Sequence, residues 1–127
     1  MQPEKFFTKI QNYSKISDRE RCKELCGVVF KLLSDRLTEN ESKDLKSQLP
    51  SSLKDMWIRD AGRDVIKFHK DDFLERVMKD GKLENVEIAE DISKAVFKAL
   101  KEQISYGETE DVNAQLPKDL KEFWMQA

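Results

Sequence analysis

Displaced by 67 positions, the sequence lies over itself without a gap, residues 6–60 on residues 73–127. Identities recur along the whole overlap: Phe6/Phe73, Lys15/Lys82, Glu20/Glu87, Val29/Val96, Phe30/Phe97, Lys31/Lys98, Glu41/Glu108, Asp44/Asp111, Gln48/Gln115, Leu49/Leu116, Pro50/Pro117, Leu53/Leu120, Lys54/Lys121 and Trp57/Trp124. Apolar positions also match in kind, as at Ile10/Val77, Leu25/Ile92 and Leu37/Ile104. We read the chain as a tandem duplication. Two copies are too few for an open array of repeats, so each half is expected to bury its apolar face on the other. The expected organisation is one domain over residues 1–127, with repeat one at 2–60, a connector at 61–68 and repeat two at 69–127.

The apolar spacing within each half is helical, which predicts an all-α fold of two pseudo-symmetric four-helix units. Phe6, Phe7 and Ile10 open the first unit as Phe73, Leu74 and Val77 open the second. The stretch "DRERCKELCGVVFKLLSDRL" then sets Cys22, Leu25, Cys26, Val29, Leu33 and Leu37 on one stripe, and Ala89, Ile92, Val96, Leu100 and Ile104 repeat it. A third helix begins at "TENE" and again at "SYGE". Both fit the capping box, in which the Thr38 or Ser105 side chain accepts a backbone N–H while Glu41 or Glu108 reaches back to the N-cap amide. In "SQLPSSLKDMW" and "AQLPKDLKEFW" the proline ends that helix. Ser52 or Asp119 is expected to cap a fourth, on which Leu53 and Trp57, or Leu120 and Trp124, form one ridge. Gly62 offers a turn in the connector.

An apolar helix ending in "DRL", a capping Ser or Thr, then E-x-x-D-L and Q-L-P-x-x-L, all duplicated, resembles the prokaryotic family catalogued as domain of unknown function 2267. The motif falls on Glu41, Asp44, Leu45, Gln48, Leu49, Pro50 and Leu53; the second half departs from it with Val112 in the leucine position and "SYG" as its opening. The resemblance implies an all-helical fold and carries no activity.

Composition narrows the function. Acidic and basic residues number 25 and 23 and are interleaved, without the basic stripe that phosphate neutralisation requires, which argues against a nucleic-acid partner. No apolar run approaches the roughly 20 residues of a membrane span, and "MQPEKFF" is too polar for a secretory signal, so a cytoplasmic setting is expected. Cys22 and Cys26, with Ala89 and Ser93 as counterparts, read as reduced, small core residues. One histidine, His69, leaves no material for a catalytic triad, and the four glycines are too scattered for a phosphate loop.

Two sets of residues remain as candidates. Glu41 with Asp44, and Glu108 with Asp111, lie on one face of each third helix, and symmetric packing would bring four carboxylates around a divalent metal. Against that, the two glutamates are accounted for as cap partners, so the structural reading takes precedence and no cofactor is implied. The repeated motif residues Gln48, Leu49, Pro50, Trp57, Gln115, Leu116, Pro117 and Trp124 are read as structural, the tryptophans as core and the glutamines as satisfying the corner's own backbone groups. The leading expectation is a non-enzymatic module that docks another protein or self-associates. The alternative is a metal- or small-molecule-binding enzyme that uses the paired carboxylates between the repeats.

Overall fold

A computed structural model describes residues 3–60, 62 and 64–127. The described residues form eight α-helices and no strand: α1 (Pro3–Ser14), α2 (Arg19–Arg36), α3 (Glu39–Ser47), α4 (Ser51–Lys54), α5 (Lys70–Asp80), α6 (Val86–Gln103), α7 (Tyr106–Ala114) and α8 (Lys118–Gln126). Of the expected connector, Ala61 and Arg63 lie outside the described residues, as does Gln2, the counterpart of His69. Gly62 adopts a left-handed φ of 71°, and residues 64–68 are non-helical, with Phe68 buried in the core.

The helix starts follow from local chemistry. Asp18 accepts the amides of Glu20 and Arg21 at the head of α2, and Asn85, 67 residues on, accepts that of Ile88 at the head of α6. Thr38 and Ser105 cap α3 and α7 by accepting from Glu41 and Glu108 at 3.3 and 3.1 Å. After α1 and α5 the chain turns through Lys15 (φ 62°) and Lys82 (φ 53°), matching lysines in the left-handed region. At the second of these turns Leu83 donates back to the carbonyl of Met78, the six-to-one closure of a Schellman end.

Burial of the apolar stripes holds the helices together. The two long helices α2 and α6 touch, and each is also packed by the first helix of both halves, so α1 lies against α2 and α6, and α5 against α6 and α2. Each half carries a matching aromatic cluster. Phe30 stands 5.3 Å from Trp57 and 6.0 Å from Phe6; Phe97 stands 5.1 Å from Trp124 and 5.6 Å from Phe73. Cys22 and Cys26 are buried free thiols, with Ala89 and Ser93 equally buried 67 residues on. No helix among the described residues is long and apolar enough to cross a membrane.

Three local expectations require correction. The fourth helix of the first half ends at Lys54, so Trp57 lies beyond it, held by tighter three-residue bonds (Met56 N–H to Leu53 O, Trp57 N–H to Lys54 O); Trp124 does lie within α8. Ser52 and Asp119 are not the caps, because Pro50 and Pro117 occupy those positions. Asp119, within the first turn of α8, accepts the Leu120 amide at 2.8 Å and also the Lys70 amide at 3.0 Å, fastening the start of α5 to α8. The third correction concerns the capping boxes of α3 and α7, and it defines the site.

Candidate functional site

A capping box needs the third helical residue, here Glu41 or Glu108, to accept the N-cap amide. Neither glutamate does so. The Thr38 amide donates to Gln115 Oε1 at 2.9 Å, and the Ser105 amide donates to Gln48 Oε1 at 2.7 Å. Gln115 Nε2 also donates to Thr38 Oγ1 at 3.1 Å, and Gln103 Nε2 donates to the Gln48 carbonyl at 3.3 Å. Each motif glutamine therefore reaches across to the opposite half and completes the start of its third helix. The expected role at the glutamine's own corner gives way to one between corners, because the α3 and α7 helices pack on each other.

Relieved of capping, the two glutamates face one another. Donor oxygens of Glu41, Glu108 and Asp111 lie within 4.8 Å of one another. Glu108 is only 5% exposed, Glu41 is half-buried and Asp111 opens to solvent. Oε2 of Glu41 and Oε2 of Glu108 are both fully enclosed, and no N–H or hydroxyl group of another residue reaches either. Burial pushes the Glu108 carboxyl up to about 8, reinforced by a hydrogen bond and charge from Glu41 and by the charges of Asp111 and Asp44. Burial beside the like charges of Glu41, Asp111 and Asp44 thus favours the protonated form of Glu108. Asp44 is exposed; its charge reaches Glu108, although its oxygens are not among the clustered three.

Of the other expected residues, the two tryptophans and the two leucines lie in the core. Trp57 Nε1 donates to Ser42 Oγ at 2.9 Å, which in turn bonds Ser34 Oγ at 2.6 Å. Trp124 Nε1 donates to the Thr109 carbonyl at 3.2 Å. Leu49 and Leu116 are buried, while Pro50 and Pro117 start α4 and α8. His69 is exposed, with Nδ1 3.6 Å from Asp119. Burial raises the pKa of the Cys22 and Cys26 thiols, which leaves them poor nucleophiles. Sequence reasoning passed over Ser42, Thr109 and Gln103. Small polar residues on the buried side of α3 and α7, one helical turn from the N-cap, were the available signal for the first two.

Chemically the cluster is an all-oxygen donor set with one solvent-facing member. Donor oxygens within 4.8 Å of one another are close enough to share one divalent cation. A zinc site would ordinarily draw on Cys or His, and none joins the cluster.

No curated protein matches the chain. Residues 4–123 match the family described as "Uncharacterized conserved protein (DUF2267)", a span that includes both E-x-x-D sets and both Q-L-P corners. The chain belongs to that family.

Proposed function

We propose that the protein is a non-enzymatic, cation-binding helical module. On this reading it is one domain of two pseudo-symmetric four-helix units, residues 2–60 and 69–127, and its site is the carboxylate cluster on their common axis. Glu41 and Glu108 are the enclosed ligands, Asp111 is the solvent-side ligand, and Asp44 adds negative potential. The observation that carries the reading is the buried Glu108 carboxylate, whose enclosed Oε2 has no hydrogen-bond partner, in a cluster whose Glu41, Glu108 and Asp111 donor oxygens lie within 4.8 Å of one another. Burying two like-charged acids is costly unless a proton or a cation compensates them. The capping role that would otherwise account for both glutamates is filled by Gln48 and Gln115. Hard, oxygen-seeking divalent ions such as Ca²⁺ and Mn²⁺ suit the donor set better than Zn²⁺. Calorimetric titration with each ion tests the reading. One ion per chain is expected, with binding lost in Glu108→Gln; no heat and no change in melting temperature with any of the three ions would refute it.

Protein docking is the second reading, and a surface groove favours it. Val28, Met56 and Ile58 line this groove beside Gly27, with Glu24, Lys31, Asp55 and Asp80 around it, and Ile58 is 57% exposed. Sedimentation velocity on the wild type and on Ile58→Lys tests it for self-association: a concentration-dependent dimer lost in the variant supports the reading, and a monomer throughout counts against it.

A further inference from the structure

The cluster depends on a choice made by each glutamate. A glutamate three residues into a helix has a nearby acceptor's job, the amide of its own N-cap. At α3 and α7 the N-cap residues are the box-forming Thr38 and Ser105, and the glutamates sit at the box position, yet both stay away from the amide. Nothing in the local sequence of either half explains this, since "TENE" alone specifies an ordinary box. What differs from an isolated helix is the glutamine of the opposite corner, whose Oε1 already holds the amide in both cases.

We infer that Gln48 and Gln115 are positioning residues for the carboxylate cluster: by occupying the N-cap amides of α7 and α3, they keep Glu108 and Glu41 turned toward each other instead of toward their own helix starts. The inference rests on the proposed cation-binding reading for its functional consequence, while its geometry stands apart from it. Gln48 touches no ion and supplies no ligand. It acts on the cluster through Ser105 and Glu108, as Gln115 acts through Thr38 and Glu41. The pairing is crossed, so the glutamine of one half governs the glutamate of the other, and the site forms only where the two corners meet. A solitary unit with the same motif would retain its capping boxes and have no cluster. This gives a physical reason for E-x-x-D and Q-L-P to recur together at one spacing: the glutamate and the glutamine serve the same site from opposite sides.

The test compares Gln48→Ala with Gln48→Glu, which keeps an acceptor oxygen for the Ser105 amide. In Gln48→Ala the exposed amide is expected to capture Glu108, and Mn²⁺ affinity is expected to fall about 10–100-fold, the usual effect of losing a group that orients a ligand. In Gln48→Glu Mn²⁺ affinity is expected to survive. Adding Gln48→Ala to Glu108→Gln is expected to have no further effect, because the two changes act on one carboxylate. A crystal structure of Gln48→Ala without added ion separates this inference from the cation reading. Glu108 hydrogen-bonded to the Ser105 amide supports it even if the wild type binds no ion; Glu108 still facing Glu41 overturns it even if the wild type does. Should Gln48→Ala fail to fold, Gln115→Ala carries the same comparison at Thr38 and Glu41.

Discussion

Glu108 is the residue at which packing and chemistry conflict. Its carboxyl is raised from an ordinary 4.5 to about 8, first by burial and then by Glu41. A group whose folded pKa is raised binds its proton more tightly when folded, so its stabilising contribution is complete below about 4.5 and disappears as pH rises through about 8. Stability of the cation-free protein is therefore expected to decline between those two values, as read by chemical denaturation across the range. Glu108→Gln removes the titrating group and is expected to flatten the decline; above pH 8 it is expected to be the more stable protein by about 1–3 kcal/mol, the scale of a buried polar group without a partner. A decline of unchanged size in the variant would assign the effect elsewhere. The sequence made the four acids visible as a set, because E-x-x-D spacing puts them on one helix face. It did not reveal that the glutamates are free of capping, since that depends on two hydrogen bonds between residues far apart in the chain, Thr38 with Gln115 and Ser105 with Gln48.

The elements were largely legible because their signals are local. Thr38 and Ser105 cap the helices that their positions suggest, and the Q-L-P corners break where proline requires. Legibility failed where tertiary bonds add to local ones: Asp119 sits inside α8, where it accepts the amide of Leu120 and also that of Lys70 from the start of α5. Backbone strain is another element-level feature hidden in the sequence. Lys15 and Lys82 occupy the left-handed region, which costs a residue with a Cβ about 1–2 kcal/mol, while glycine's greater freedom when unfolded offsets part of any gain from replacing them. Lys15→Gly and Lys82→Gly are accordingly expected to raise stability by up to about 1 kcal/mol each, measurable as a higher melting temperature. A loss of 1 kcal/mol or more in both would mean that the lysine side chains contribute more than their backbone strain costs.

For the molecule as a whole, the apolar stripes of α2 and α6 draw the two halves together, and α3 meets α7 as a consequence. That meeting places like charges in a buried setting, which a pair of capping boxes alone would not require. On the proposed reading, the crossed glutamine bonds and the enclosed acids of α3 and α7 make one divalent-cation site that neither helix contains alone. Anomalous diffraction from crystals soaked in Mn²⁺ tests that claim most directly. The predicted result is a single peak within coordination distance of Glu41, Glu108 and Asp111, absent from Glu108→Gln crystals. Saturating Mn²⁺ with no peak among those three side chains, in crystals where they remain clustered, would contradict it.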